Sequence, residues 1–158
     1  GVIEGSSRVY LATIGHELHG FEIKSDVDTL ARLPKQIREF NRVFNRLTLV
    51  TTPKYASKAA ELLPDFWGLV LAMEDGDSVA LEVIRNPEIN TTTEPMAVAQ
   101  LLWKDEVVSV LKSLGAYKGM SKARRWLLWE RLCATTTPEE VARITRATLL
   151  ERNWDRFT

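Results

Sequence analysis

Glu22 and Lys24 stand two residues apart in the stretch GFEIKSD (20–26), inside an otherwise apolar strand pattern. Strand side chains alternate between faces, so Leu18, Gly20, Glu22 and Lys24 share one side. His19, Phe21, Ile23 and Ser25 share the other. A carboxylate beside a lysine can hold a hard divalent cation through oxygen, activate its bound water, and steady charge developing on a phosphate oxygen. Any solvated strand face can carry the same pair, and on spacing alone that plainer reading is favoured.

Three neighbouring features bear on the choice. Asp26, Asp28 and a Gln36-x-x-x-Phe40 spacing follow the strand. Arg8, Arg32, Lys35, Arg38, Arg42 and Arg46 crowd the same region and would attract a phosphate backbone. Gly20 permits close approach of a backbone or ligand. Asp28 is read more simply as the cap of the next helix.

These residues must be positioned by a small set of elements. RVYLATI and LHGFEIKS flank a compact Gly15-His16-Glu17 tip, which predicts a hairpin over 8–25. In that register Tyr10 stands across from Glu22, whereas a slip of one residue sets it against Phe21 or Ile23. Leu30, Leu33, Ile37, Phe40 and Phe44 recur at helical spacing over 28–46. Pro34 restarts that helix, placing Gln36 in the first turn of its second part. LTLVTT (47–52) reads as a buried strand and KYASKAAELL as a short helix. FWGLVLAM and SVALEVIR read as strands around the turn EDGD. The order β-β-α-β-α-β-β predicts an α/β fold, a mixed sheet with helices against it. A polar linker over 87–95 separates this core (1–86) from a helical C-terminal subdomain (96–158). There, helices are expected to end near Gly115, to start at Ser121, and to start at Thr137-Pro138 with Glu140 closing a capping box.

Bulk properties set outer limits. The chain has 158 residues, 45% hydrophobic and 27% charged, with a formal net charge of zero. That size supports one domain or one with a small appendage, without a strongly basic overall footprint. One cysteine, Cys133, and two histidines exclude an internal disulfide, leave too few soft ligands for zinc, and fit a reducing, cytoplasmic setting. No apolar run reaches membrane-span length and no signal peptide opens the chain. The opening GVIEGSSRVY has no Met and lies almost at a strand, which fits a chain trimmed at its start or one without a first helix.

SRVYLATIGHELHGFEIKSDVDTLARLPKQIREFNRVFNRLTLV, continuing to PDFWGLVLA, resembles a family of small bacterial proteins in the PD-(D/E)XK nuclease superfamily, with a RecB-like motif arrangement. The resemblance extends to the LLWKDE and ERNW stretches of the tail and implies a restriction-endonuclease-like core. It implies Glu22 as ligand of Mg²⁺ or Mn²⁺, Lys24 as the lysine that orients water or stabilises charge, and Gln36 with Phe40 as the helix motif. Arg8, Arg32, Lys35 and Arg38 would contact nucleic acid. The pattern departs at 8–10, where Arg-Val-Tyr replaces Arg-x-Asp: the second metal-binding carboxylate becomes Tyr10, a neutral phenol near pH 7 and a poor Mg²⁺ ligand, whose hydroxyl could bond Glu22 or Lys24 and leave a closed, metal-free site.

The remaining candidates weigh less. His16 and His19 point to alternate faces without acidic or cysteine partners and read as exposed turn residues. Trp126 and Trp129, at i and i+3, read as helix core before base-stacking platforms. Lys118, Lys122, Arg124 and Arg125 fit a solvated helix start as well as phosphate contacts. The expectation is therefore a Mg²⁺-dependent DNA nuclease or nuclease-like protein, with little or no cleavage because of Tyr10. Its rival is a non-catalytic nucleic-acid-binding or protein-interaction module on the same fold. A protein partner or a homo-oligomer is compatible with both.

Overall fold

A computed structural model describes residues 11–152, so Arg8 and Tyr10 lie outside the described residues. Among the described residues, 11–13 with 17–93 form one compact unit, and 14–16 with 94–152 form a second.

The first unit is an α/β structure built on a five-stranded sheet in the order β1-β2-β3-β4-β5. Strands β1 (Leu11–Ile14) and β2 (Leu18–Lys24) are joined through Gly15-His16-Glu17, the three-residue link expected. Helix α1 (Leu33–Asn41) crosses to β3 (Arg46–Thr51), which pairs parallel with β2; Glu22 is level with Leu49 and Lys24 with Thr51. A 3-10 turn at Pro53–Tyr55 and helix α2 (Ala56–Leu62) lead to β4 (Gly68–Asp75), parallel to β3. Strand β5 (Ser78–Arg85) closes the sheet antiparallel to β4 around Gly76, whose positive φ of 62° suits a tight turn. The sheet is thus mixed, with the parallel pairs at its centre.

Helix α1 begins at Leu33, so residues 28–32 of the expected helical stretch are not helical. Pro34 sits within the first turn, where its missing N–H costs nothing. Leu33, Gln36, Ile37 and Phe40 form its buried face. Phe40 meets Phe44 edge to face at 6.1 Å between ring centres. Gly20 has a packing reason: a Cβ there would lie 2.9 Å from Phe44 Cγ, so a core ring and not a ligand takes the space. The opposite sheet face is less covered, with Ile23, Val79, Leu81 and Val83 all exposed.

The second unit holds α3 (Pro95–Ala99), α4 (Lys104–Ser113), α5 (Arg125–Thr135) and α6 (Pro138–Glu151) around Leu102, Val107, Leu111, Leu128, Leu132 and Val141. The expected single helix up to Gly115 is broken at 100–103, and α5 starts at Arg125 instead of after Ser121. At α6, Thr137 Oγ1 accepts from Glu140 N and Glu140 returns a carboxylate to Thr137 N, the expected capping box. Arg152 donates twice to Glu106, at 2.7 and 2.6 Å, and stacks over Trp103, so the end of α6 is clasped to the start of α4. No helix among the described residues is long and apolar enough to cross a membrane.

Candidate functional site: a buried carboxylate, lysine and amide

The alternation in β2 sends Leu18, Gly20, Glu22 and Lys24 to the buried side of the sheet. Glu22 is 0% exposed and Lys24 2%, which overturns the solvated-face reading of this pair. Charged groups stay this deep only with partners. Lys24 Nζ donates to Glu22 Oε1 at 2.8 Å. From α1, Gln36 Nε2 donates to the same oxygen at 2.7 Å. Gln36 reaches it because α1 lies over this sheet face with Gln36 in its first turn.

The cluster is left short of donors. Among the described residues, neither Glu22 Oε2 nor Gln36 Oε1 has a hydrogen-bond partner, although both atoms are buried. Each such acceptor costs about 1–3 kcal/mol unless something satisfies it. Two unsatisfied oxygens, one anionic, suit a hard cation or a water. Glu22 Oε2 is the atom that would ligate Mg²⁺, with Gln36 Oε1 as a neutral oxygen. An octahedral Mg²⁺ shell would need further oxygens. The described residues contain no group of three His, Cys, Asp or Glu side chains able to hold a metal. The fit is therefore to a single-carboxylate site.

Asp26 and Asp28 do not supply the second carboxylate. Asp26 Oδ1 accepts from Thr52 Oγ1, and its carbonyl accepts from Lys54 Nζ at 2.6 Å. Asp28 turns back to Ser25, accepting from its hydroxyl at 2.7 Å and its N–H at 2.8 Å, and does not cap α1, whose N-cap is Arg32. Those two bonds hold the Asp28 carboxyl below the usual carboxylate range. This loop ties the ends of β2 and β3 together across 26 residues, a contact with no local signature in the sequence.

Arg32, Lys35 and Arg38 are exposed on or beside α1, with Lys35 within 3.7 Å of Glu39. Arg46 is not available for phosphate: it is held by Glu17 at 2.6 Å and donates to the Pro87 carbonyl at 2.8 Å. His19 is half-buried instead of an exposed turn residue. Its Nε2 lies 2.9 Å from Thr48 Oγ1, and its ring stacks on Phe21 at 4.1 Å. Burial first, then the Arg46 charge, lowers its pKa, while Glu17 opposes them. Trp129 is buried and Trp126 is 48% exposed, so the two tryptophans part company.

A sequence model of the family described as bacteriophage P4 protein cII matches residues 2–156. Protein cII of Enterobacteria phage P4 is 30% identical over 114 residues, covering 72% of this chain and 43% of that protein. The chain thus spans less than half the length of the curated relative it matches. No solved structure matches.

Proposed function

The chain belongs to the bacteriophage P4 protein cII family, and we propose that it carries a nuclease-like site of the PD-(D/E)XK type, centred on Glu22, Lys24 and Gln36 and directed at DNA. The observation that carries this reading is the buried Glu22 carboxylate, held by Lys24 and Gln36 through one oxygen while the other has no partner among the described residues. A purely structural ion pair would be expected to satisfy both oxygens, because an unpaired buried acceptor is costly. The parallel β2-α1-β3 crossover sets the Gln36 amide against the Glu22 carboxylate, which supports this reading.

In this reading Glu22 Oε2 would hold Mg²⁺ or Mn²⁺, which would supply Lewis-acid activation of water and phosphate. Lys24 sets the orientation of the carboxylate and adds positive charge where a phosphate oxygen becomes more negative. Gln36 fixes the carboxylate rotamer from the helix side. Arg32, Lys35 and Arg38 contribute exposed cations for the DNA backbone, with Arg8 assigned the same role by resemblance.

Tyr10 occupies the position where the resemblance expects an aspartate, so cleavage by the chain as it stands is weak or absent. The test is plasmid cleavage in Mg²⁺ and in Mn²⁺. Tyr10→Asp is expected to gain activity, and Tyr10→Asp with Glu22→Ala is expected to lose it. Cleavage that persists without Glu22, or its absence from every variant, contradicts the proposal.

A non-catalytic module on the same fold is favoured by one observation: Lys24 already neutralises Glu22 at 2.8 Å. That reading gains if Tyr10→Asp is inert yet DNA binding is strong and falls steeply with salt.

A further inference from the structure

From Val107 to Trp129 the chain contains no acidic residue and five cations: Lys112, Lys118, Lys122, Arg124 and Arg125. In a chain of zero net charge this is a concentrated basic segment. All five side chains are exposed. Lys118, Lys122 and Arg124 form no ion pair among the described residues.

The backbone that presents them is held in place. Met120, 8% exposed, anchors the loop between α4 and α5 in the core of the second unit. Short turns support it: Ala116 N donates to Leu111 O, Met120 N to Tyr117 O and Ala123 N to Met120 O. Gly115 and Gly119, with φ of 68° and 81°, take left-handed backbone that a side chain would resist. At the start of α5 the Trp126 ring is 48% exposed directly after Arg124 and Arg125. A groove of about 510 Å³ adjoins this segment, lined in part by Met120, Leu127, Lys122 and Arg131, with one acid, Glu130.

We infer that the segment from Lys118 to Trp126 is a binding surface for single-stranded nucleic acid, distinct from the Glu22 site. Lys118, Lys122 and Arg124 contact phosphates and Trp126 stacks on a base. A held backbone spares the cost of ordering the loop when its cations meet phosphate, and an exposed indole in the same segment is the element that an acidic peptide would not require. The inference rests on the nuclease-like reading for its ligand class alone, and the two fail separately: that reading is measured by cleavage, this one by affinity.

The experiment is fluorescence anisotropy of a labelled oligothymidylate over a salt series, with the full chain and two variants. Lys118→Gln/Lys122→Gln/Arg124→Gln is expected to lose at least tenfold in affinity at low salt. Its log–log salt slope should shrink by about 2, from three phosphate contacts at about 0.7 each. Trp126→Ala is expected to lose about fivefold or more with its slope unchanged, since stacking releases no counterion. Lys118, Lys122 and Arg124 are exposed, so the unfolding midpoint of the triple variant should not move. Trp126→Ala gives up the covered half of its side chain, so its affinity is read at a temperature where it is fully folded. Failure of the full chain to bind, or unchanged affinity in the triple variant, overturns the inference. So does displacement by polyglutamate or anionic vesicles as effective as by unlabelled oligonucleotide.

Discussion

Glu22 is the residue on which the account turns, because its burial makes its neighbours indispensable. Lys24→Met would leave the carboxylate with Gln36 alone, and breaking a buried pair costs about 3–5 kcal/mol. Glu22→Leu combined with Lys24→Met should recover much of that loss, read as the urea midpoint of each variant. Similar losses in the single and double variants would contradict this. His19 offers a pH test. Its folded pKa is lowered, so the neutral ring is favoured in the folded protein and the unfolded chain binds the extra proton. The stability it contributes is complete well above 6.5 and is lost as pH falls from there through the folded value. His19→Gln should flatten that part of the stability profile, measured by thermal unfolding against pH. The pairing of Glu22 with Lys24 on one face was legible from two-residue alternation. Their burial was not, because E-x-K reads alike on wet and dry faces. Arg46 was likewise read as part of a basic stripe, since nothing local announces its bond to Glu17.

At the scale of elements, the Gly20–Phe44 contact is the tightest constraint on the site's strand. Gly20→Ala would press a methyl group against the buried Phe44 ring, for a loss of about 1–3 kcal/mol. A change under a few tenths of a kcal/mol in chemical denaturation would show that Phe44 repacks freely. Thr137→Ala should cost about 1 kcal/mol through loss of the α6 cap. Strong, short-range signals were the legible ones: the GHE link, the EDGD turn, the Thr137-Pro138 start and the strand patterns of β3, β4 and β5. The misread boundaries share a cause. Apolar spacing continues through 28–32 and through 100–103, but α1 starts only at Leu33, with Pro34 in its first turn, and the turn after Ala99 interrupts the next helix. Ser121 looked like a cap, yet the chain turns again at Met120–Ala123 before α5 begins. The hydrogen bond from Gln36 to Glu22 spans 14 residues between helix and strand. Its residues were nameable from the resemblance, and its geometry depends on how α1 packs.

For the whole molecule, family membership and the Glu22 cluster bear on different questions. The family fixes kinship over residues 2–156, while a buried acid with one oxygen unpartnered among the described residues suggests the chemistry. The central claim is that Glu22 Oε2 is a cation ligand weakened by the residue at position 10. Mn²⁺ titration followed by electron paramagnetic resonance tests it without reliance on turnover. Tyr10→Asp should bind one Mn²⁺ per chain more tightly than the unaltered protein does, and adding Glu22→Gln should abolish that binding. Mn²⁺ binding that is indifferent to Glu22→Gln, or no gain in Tyr10→Asp, would contradict the account.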